Sequence, residues 1–288
     1  HGGQWDPLDG DIDPAQLTQA LAKGARDMGQ TVVRFCPVTA VRRENGEWVL
    51  STPAGEIRCE YVVNAAGYRA AELGRMFGRD VPCVSLAHQY LITEAIPELT
   101  ARDEKLPLLR DPDSSYYLRQ EKDGLLLGPY EKNCRAHWVD NSDPMPEDFS
   151  FQLYNDDLER LEWYIEDACA RVPLLGTGGI TRVVNGPIPY TPDGLPLIGQ
   201  MPGVPNAFEA CVFTFGIVQA GGAGKLVSEI IVEGEAETDS WAVDPRRFTD
   251  HVDHSYTTAK AIETYSHEYA MHFPQIQWPA GRKAKVSP

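Results

Sequence analysis

The sequence predicts an α/β fold in the form of an α+β mixture, and three observations predict it. A helix with complete start and stop signals precedes a series of short strands joined by tight turns. A brief apolar run, Tyr61-Val62-Val63-Asn64-Ala65-Ala66-Gly67, ends in small residues. Gly216 to Glu233 reads as a loop entering a long helix, with Gly221, Gly222 and Gly224 in its first turns.

The first helix spans Asp13 to Gly29. Asp13 caps its free amides, Pro14 suits the first helical position, and Leu17, Ala20, Leu21, Gly24, Ala25 and Met28 recur at helical spacing. Gly29 ends it in a left-handed conformation. Thr31 to Phe35 reads as a short strand. Thr39 to Arg43, Trp48 to Thr52 and Ile57 to Cys59 read as an antiparallel meander, turning at Asn45-Gly46 and at Pro53-Ala54-Gly55-Glu56. The run from Tyr61 to Gly67 reads as a buried parallel strand. Its small residues suit either close approach of a flat or phosphorylated ligand or tight packing on a helix.

The character changes after Val81. His88 to Thr93 predicts a strand, and Ser115 to Arg119 with Leu125 to Gly128 predicts a hairpin. A helix from Asp156 to Arg171 places Leu158, Leu161, Ile165, Ala168 and Val172 on one face, and Pro173 ends it. Asn185 to Gly199, rich in Pro and Gly, reads as an ordered loop. Asn206 to Val212 reads as a strand, and a loop from Gly216 then enters the helix. Gly221, Gly222 and Gly224 in that helix suit either binding of a negative or polarised group at its start or close helix packing. From Asp239 onward the chain reads as an extended or partly helical segment packed on another domain. Pro279-Ala280-Gly281-Arg282-Lys283 reads as linker.

Composition excludes several functions. Among 288 residues, 26 basic side chains face 42 acidic ones, a net charge of −16, which repels phosphate backbones and argues against nucleic-acid binding. No run approaches the roughly 20 apolar residues of a membrane span. Six dispersed cysteines fit reduced thiols better than a disulfide framework. His251 and His254 beside Asp253 read as a solvated pair, so no metal site is expected. Gly224-Lys225 is followed by Leu226, which rules out a P-loop, and the absence of Gly-x-Ser-x-Gly removes support for a hydrolase of that type.

Several stretches carry a family resemblance. They are Asp9-Gly10-Asp11-Ile12-Asp13-Pro14, Val63 to Gly67, His88-Gln89-Tyr90, Ser115 to Glu121 with Asp123 to Leu126, Gly128-Pro129-Tyr130-Glu131, Val184 to Ile188, and Ala220 to Lys225. In this order and spacing the chain resembles the flavin-dependent amine oxidoreductases of the D-amino-acid-oxidase superfamily, nearest the dimethylglycine and sarcosine dehydrogenase family. The resemblance implies part of an FAD-binding Rossmann-like domain in residues 1–80 and 184–238. It implies an antiparallel substrate domain in 81–183, and a C-terminal extension toward a further domain in 239–288. The glycine-rich turn that opens such folds does not occur here, and His1 does not match the histidine that bonds covalently to flavin in many members. A folate-binding domain, with tetrahydrofolate, is implied beyond the extension.

The resemblance also implies roles. Val38 would meet the adenine end of FAD through its backbone. Ala66, Gly67 and Tyr68, the last where the family often has Trp, would lie along the cofactor. Thr214, Phe215, Gly216, Ile217, Val218 and Gln219 would line the flavin ring; Gln219 replaces a histidine of relatives. His88 and Tyr116 would face the amine, Tyr116 being preferred to Tyr117 because a regular strand turns only one of them inward. Arg110 and Arg119 are candidates for a substrate carboxylate. The implied substrate is a small N-methylated amino acid, and electrons would pass to a carrier protein or oxygen. The expected compartment is the cytoplasm, with the mitochondrial matrix as alternative.

Overall fold

The computed structural model describes residues 2–132, 134–139, 142–248 and 252–270. His251 and the 279–283 stretch lie outside them. Helix α1 (Pro14–Asp27) starts where Asp13 accepts a hydrogen bond from the Gln16 amide, and Gly29 follows it at φ +92°. Strands β1 (Ala40–Glu44), β2 (Glu47–Thr52) and β3 (Gly55–Cys59) form the expected meander. Asn45 and Gly46 both adopt positive φ, the conformation a two-residue hairpin turn requires. Strand β4 (Val62–Asn64) leads through a short 3-10 turn into α2 (Ala70–Met76).

The middle of the chain contains β5 (Val84–Thr93), α3 (Pro97–Thr100), β6 (Leu109–Asp111), β7 (Tyr116–Glu121), β8 (Gly124–Pro129), β9 (Ala136–His137), α4 (Glu162–Arg171) and β10 (Ile180–Tyr190). The chain then returns through β11 (Leu197–Gln200), β12 (Ala207–Cys211), α5 (Gly216–Glu233) and α6 (His254–Ser266). Among the described residues, an antiparallel sheet runs β10-β5-β8-β7-β6, with β9 beside β5, and a smaller sheet runs β11-β12-β4. In the smaller sheet β4 and β12 are parallel.

The large sheet is packed on both faces. One face carries Leu91, Tyr116, Leu118, Leu125 and Leu127 against Leu161 and Ala168 beneath α4. The other carries Val84 and Leu86 with Tyr130 and Tyr190 against Ala261 and Tyr265 of α6. The meander leans on the small sheet through Trp48, Met201 and Ala207.

Three expectations are corrected. Thr31 to Phe35 forms no strand: these residues have no neighbour to pair with among the described residues, and Phe35 sits at φ +56°. The helix expected from Asp156 begins as a 3-10 turn at Leu158 and becomes α-helical only from Glu162. Of the Pro- and Gly-rich stretch read as a loop from Asn185 to Gly199, the part up to Tyr190 is the second half of β10 and the end belongs to β11, so only residues 191–196 remain a loop. The prolines are tolerated because β10 is an edge strand. The Asn185 carbonyl points away from β5 and accepts from the Tyr154 amide at 2.8 Å. Residues two and four further along turn their nitrogens the same way, so Pro187 and Pro189 forfeit no bond to β5.

Candidate functional site

Adjacent parallel strands bring together two stretches that are far apart in sequence. β4 and β12 pair with Asn64 opposite Glu209, so their carboxyl ends open at the same edge. The turn Ala66-Gly67-Tyr68 follows one, and Thr214 to Gln219 follows the other. Clefts at the carboxyl ends of parallel strands are the usual ligand position in open α/β sheets.

The first turn is held by Asn64, which is buried. Its Nδ2 donates to the Ala70 carbonyl at 2.9 Å, and its Oδ1 accepts from the Ala66 amide at 3.2 Å. Gly67 adopts φ +57°, with open space where a Cβ would stand. The Tyr68 ring turns toward Trp138 and Phe149, each with its centroid at 6.0 Å. Val38 lies half-buried just before β1.

The second stretch opens an 18-residue helix without a side-chain cap. The amides of its first turn are therefore available donors, with the helix dipole behind them. Gln219 Oε1 is buried there with no hydrogen-bond partner. Donors beside an orphaned acceptor fit the imide edge of a flavin, which presents carbonyl oxygens around one N–H. Thr214 spends its hydroxyl on the Gly194 carbonyl at 2.9 Å, and Val218 points outward. Phe215 reaches the large sheet, where its ring lies 6.5 Å from that of Tyr130.

That sheet face carries the polar candidates. Strand register places Arg110 opposite Tyr117, Tyr117 opposite Gly128, and His88 opposite Gly186. The His88 and Tyr117 rings are stacked at 28° with centroids 6.5 Å apart, and Tyr130 lies 4.7 Å from His88. Gly128 makes this possible: a Cβ there would stand 2.2 Å from Tyr117 Cζ. His88 Nδ1 is 2.9 Å from the Tyr265 hydroxyl. Burial lowers the imidazole to about 4, and the nearby Arg160 charge acts in the same direction, so His88 is neutral at physiological pH.

Tyr116 is a correction. The register turns it to the opposite face, where it is fully buried beneath α4 and its hydroxyl has no hydrogen-bond partner. Desolvation, helped by the Asp111 and Asp167 charges, pushes its phenol up to about 12. The tyrosine on the His88 face is Tyr117, whose phenol is raised chiefly by burial. Alternation had limited the choice to one of two; the sheet register, which sequence does not print, makes it. Sequence reasoning also missed Tyr130, Tyr265 and the supporting Gly128. A glycine inside a strand pattern next to aromatic residues was the one available signal.

Arg110 and Arg119 share the face with Tyr117 but are already paired. Arg110 meets Asp9 at 2.6 Å, and Arg119 meets Asp11 at 3.2 Å and Glu121 at 2.6 Å. The Arg110 guanidinium holds the Asp9 carboxyl below its ordinary value. A cleft of about 370 Å³ opens elsewhere, against Tyr68, Glu72, Arg75 and Trp138, and none of His88, Tyr117 or Arg110 lines it.

Among the described residues, no three His, Cys, Asp or Glu side chains converge as a metal site, and no helix is long and apolar enough to cross a membrane. All six cysteines are free thiols.

Comparison with known proteins gives concordant matches. Residues 1–230 match the family described as FAD dependent oxidoreductase, and residues 233–287 match the FAD dependent oxidoreductase central domain. Dimethylglycine dehydrogenase, mitochondrial, of Mus musculus is 43% identical over 97% of this chain and 33% of its own length. Sarcosine dehydrogenase, mitochondrial, of Homo sapiens is 36% identical over 100% of this chain and 31% of its own. The chain therefore spans about a third of the length of these relatives. Among solved structures, L-proline dehydrogenase from P. horikoshii superposes with a TM-score of 0.70 at 26% identity, covering 85% of this chain and 62% of that one.

Proposed function

The chain belongs to the FAD dependent oxidoreductase family, and from that premise we propose that it supplies the substrate face of an enzyme oxidising an N-methyl group of a small amino acid. Dimethylglycine is the first candidate and sarcosine the second, in keeping with the two dehydrogenases it resembles. One observation carries this reading: His88 and Tyr117 stack on one sheet face beside Arg110, and Tyr130, against His88, meets Phe215 at the uncapped start of α5.

Bound FAD supplies a hydride acceptor. The residues of this chain do the rest. Ala66, Gly67 and the first-turn amides of α5, with Gln219, hold the cofactor; Val38 is assigned to its adenine end from the resemblance. The amides of Gly216 to Val218 stabilise negative charge as it develops near them. Hydride departs from an N-methyl carbon only when the nitrogen lone pair is free, so the amine must lose its proton. Neutral His88 is suited to accept it, and Tyr117 orients the nitrogen. Arg110 is the better-placed cation for the substrate carboxylate, in competition with Asp9; Arg119 is already engaged by two carboxylates.

The iminium product then passes to tetrahydrofolate in a further domain or is hydrolysed to formaldehyde. With FAD bound, electrons would go on to a carrier protein or to oxygen. The relatives named as mitochondrial favour the mitochondrial matrix over the cytoplasm for this reading. The test is anaerobic mixing of the FAD-loaded protein with dimethylglycine or sarcosine. Bleaching of the flavin absorbance is expected with at least one; a spectrum unchanged by both rejects the assignment.

A second reading is favoured by exposed apolar surface on α1 and α5: the chain completes its flavin site together with further polypeptide and is inert alone. Flavin absorbance that co-purifies with the isolated 288-residue chain would reject it.

A further inference from the structure

Behind His88 lies a hydrogen-bonded chain that the proposed reaction does not yet use. Tyr265 of α6 is fully buried, and its hydroxyl lies 2.9 Å from His88 Nδ1 and 2.6 Å from Glu131 Oε2. Glu131 is also buried, and its other oxygen accepts from Arg160 Nη1 at 2.7 Å. Arg160 Nε in turn meets Asp157 at 3.0 Å, and Arg135 meets Asp157 at 3.0 Å at the solvent-facing end. Gln89 fixes Asp157 by exchanging two hydrogen bonds with its backbone, at 3.1 and 2.9 Å.

The proton count in this chain has a consequence. A phenol has one proton to give. With Glu131 ionised, Tyr265 donates to it, and the bond to His88 is made only if Nδ1 carries the hydrogen. The free lone pair of His88 is then on Nε2, which has no hydrogen bond among the described residues. With Glu131 protonated the order reverses: the acid donates to Tyr265, Tyr265 donates to Nδ1, and the hydrogen of His88 moves to Nε2.

The geometry points to Tyr265 and Glu131 as positioning residues that hold His88 in the Nδ1–H tautomer and receive its proton when Nε2 takes one from the substrate amine. This rests on the reading that His88 faces that amine. The step balances. An N–H bond of the substrate breaks and one forms at Nε2; the Nδ1–H bond breaks and one forms at Tyr265; the Tyr265 O–H bond breaks and one forms at Glu131. No electrons change owner, and His88 begins and ends neutral. A buried imidazolium, which desolvation opposes, is never required.

The surroundings agree with this direction. Burial raises the Glu131 carboxyl despite the hydrogen bond from Tyr265 and the charge of Arg160, so it is a better proton acceptor than a surface glutamate. The groups facing Glu131 are Arg160 and Asp157, Tyr265, Tyr164 and Cys134; those facing His88 are Tyr117, Tyr130 and Tyr265, with the Arg160 charge also acting on it. None but Glu131 combines a raised carboxyl with a hydrogen bond into the chain leading to His88.

The test reads the imidazole itself, using ¹⁵N-histidine spectra of the purified protein without substrate. Wild type in mildly alkaline solution is expected to show His88 protonated at Nδ1, switching to Nε2 as acid protonates Glu131. Tyr265→Phe and Glu131→Gln are each expected to show Nε2–H throughout, with no switch. An Nε2–H tautomer in alkaline wild type, which needs no variant to fold, overturns the proposal. So does a folded Tyr265→Phe protein that keeps Nδ1–H. In the FAD-loaded protein, Tyr265→Phe should slow substrate-dependent flavin reduction by about 100-fold and remove the acid limb of its pH profile. If the tautomer switch is present but no methylated glycine bleaches the flavin, the substrate assignment fails and the relay stands.

Discussion

The two halves of the molecule are stabilised differently. The large antiparallel sheet is covered on both faces, by α4 and by α6, and its central leucines are almost wholly buried. Outside that sheet, α1 buries no residue and α5 buries only Ala223. Val218 is 81% exposed and Val232 74%. The half that carries His88 and Tyr117 is thus packed before any ligand arrives, whereas the half assigned to the cofactor has apolar surface left to cover. If the proposed assignment holds, a preformed substrate face would fix orientation, and a looser cofactor face would make stability depend on what binds there.

The sharpest way to break this contrast is one substitution made twice. Leu127→Ala in the sheet core should cost about 2–5 kcal/mol in urea unfolding, while Leu21→Ala on α1 should stay within about 0.5 kcal/mol. Equal losses would show that α1 is packed after all. Next in size, Tyr117→Phe should slow flavin reduction by about 10- to 100-fold in the loaded protein. Tyr116→Phe, which removes a hydroxyl with no partner, should leave that rate alone and change stability by less than about 1 kcal/mol. The reverse pattern would restore Tyr116 to the site. Gly128→Ala should push the Tyr117 ring off the strand and destabilise by about 1–3 kcal/mol, read by thermal unfolding.

A smaller effect separates the halves by pH. His88 is lowered from 6.5 to about 4 in the folded protein, so between those values the unfolded chain binds more protons. Stability should therefore fall as pH drops through that window, and His88→Gln should flatten the dependence. Smallest of all, added FAD should slow hydrogen exchange of the amides at 216–219 without changing that of β5, β7 and β8. Equal protection in both regions would argue against the cofactor assignment at α5.

Much of the fold was legible because local signals agreed. Asp13 and Pro14 mark the start of α1, Asn45-Gly46 marks the β1–β2 hairpin, and the helix ending at Glu233 was expected, although it starts at Gly216 where a loop was expected to lead into it. What was lost depended on partners. Thr31 to Phe35 has strand-forming residues but nothing beside it to complete a ladder. Asn185 to Tyr190 has loop-forming residues but an obliging neighbour in β5. For the candidate site, the two backbone stretches and His88 were singled out through the family resemblance, and the pairing of β4 with β12 sets the two stretches at one sheet edge. The choice between Tyr116 and Tyr117 was not, because one residue of register reverses every side chain on a strand. Tyr265 was invisible for a related reason: it lies 177 positions from His88 and meets it only through the docking of α6.

The prolines of β10 have an effect on neighbours outside the molecule as well. An eleven-residue strand with one open side would ordinarily offer a template for another chain to adhere to. Here Pro187 and Pro189 leave that rim with carbonyls but few hydrogens to give, and Asn185 is already capped by Tyr154. An incoming strand would find half a ladder. This protein should tolerate high concentration without sticking to itself along that margin, and replacing both prolines should make it prone to do so.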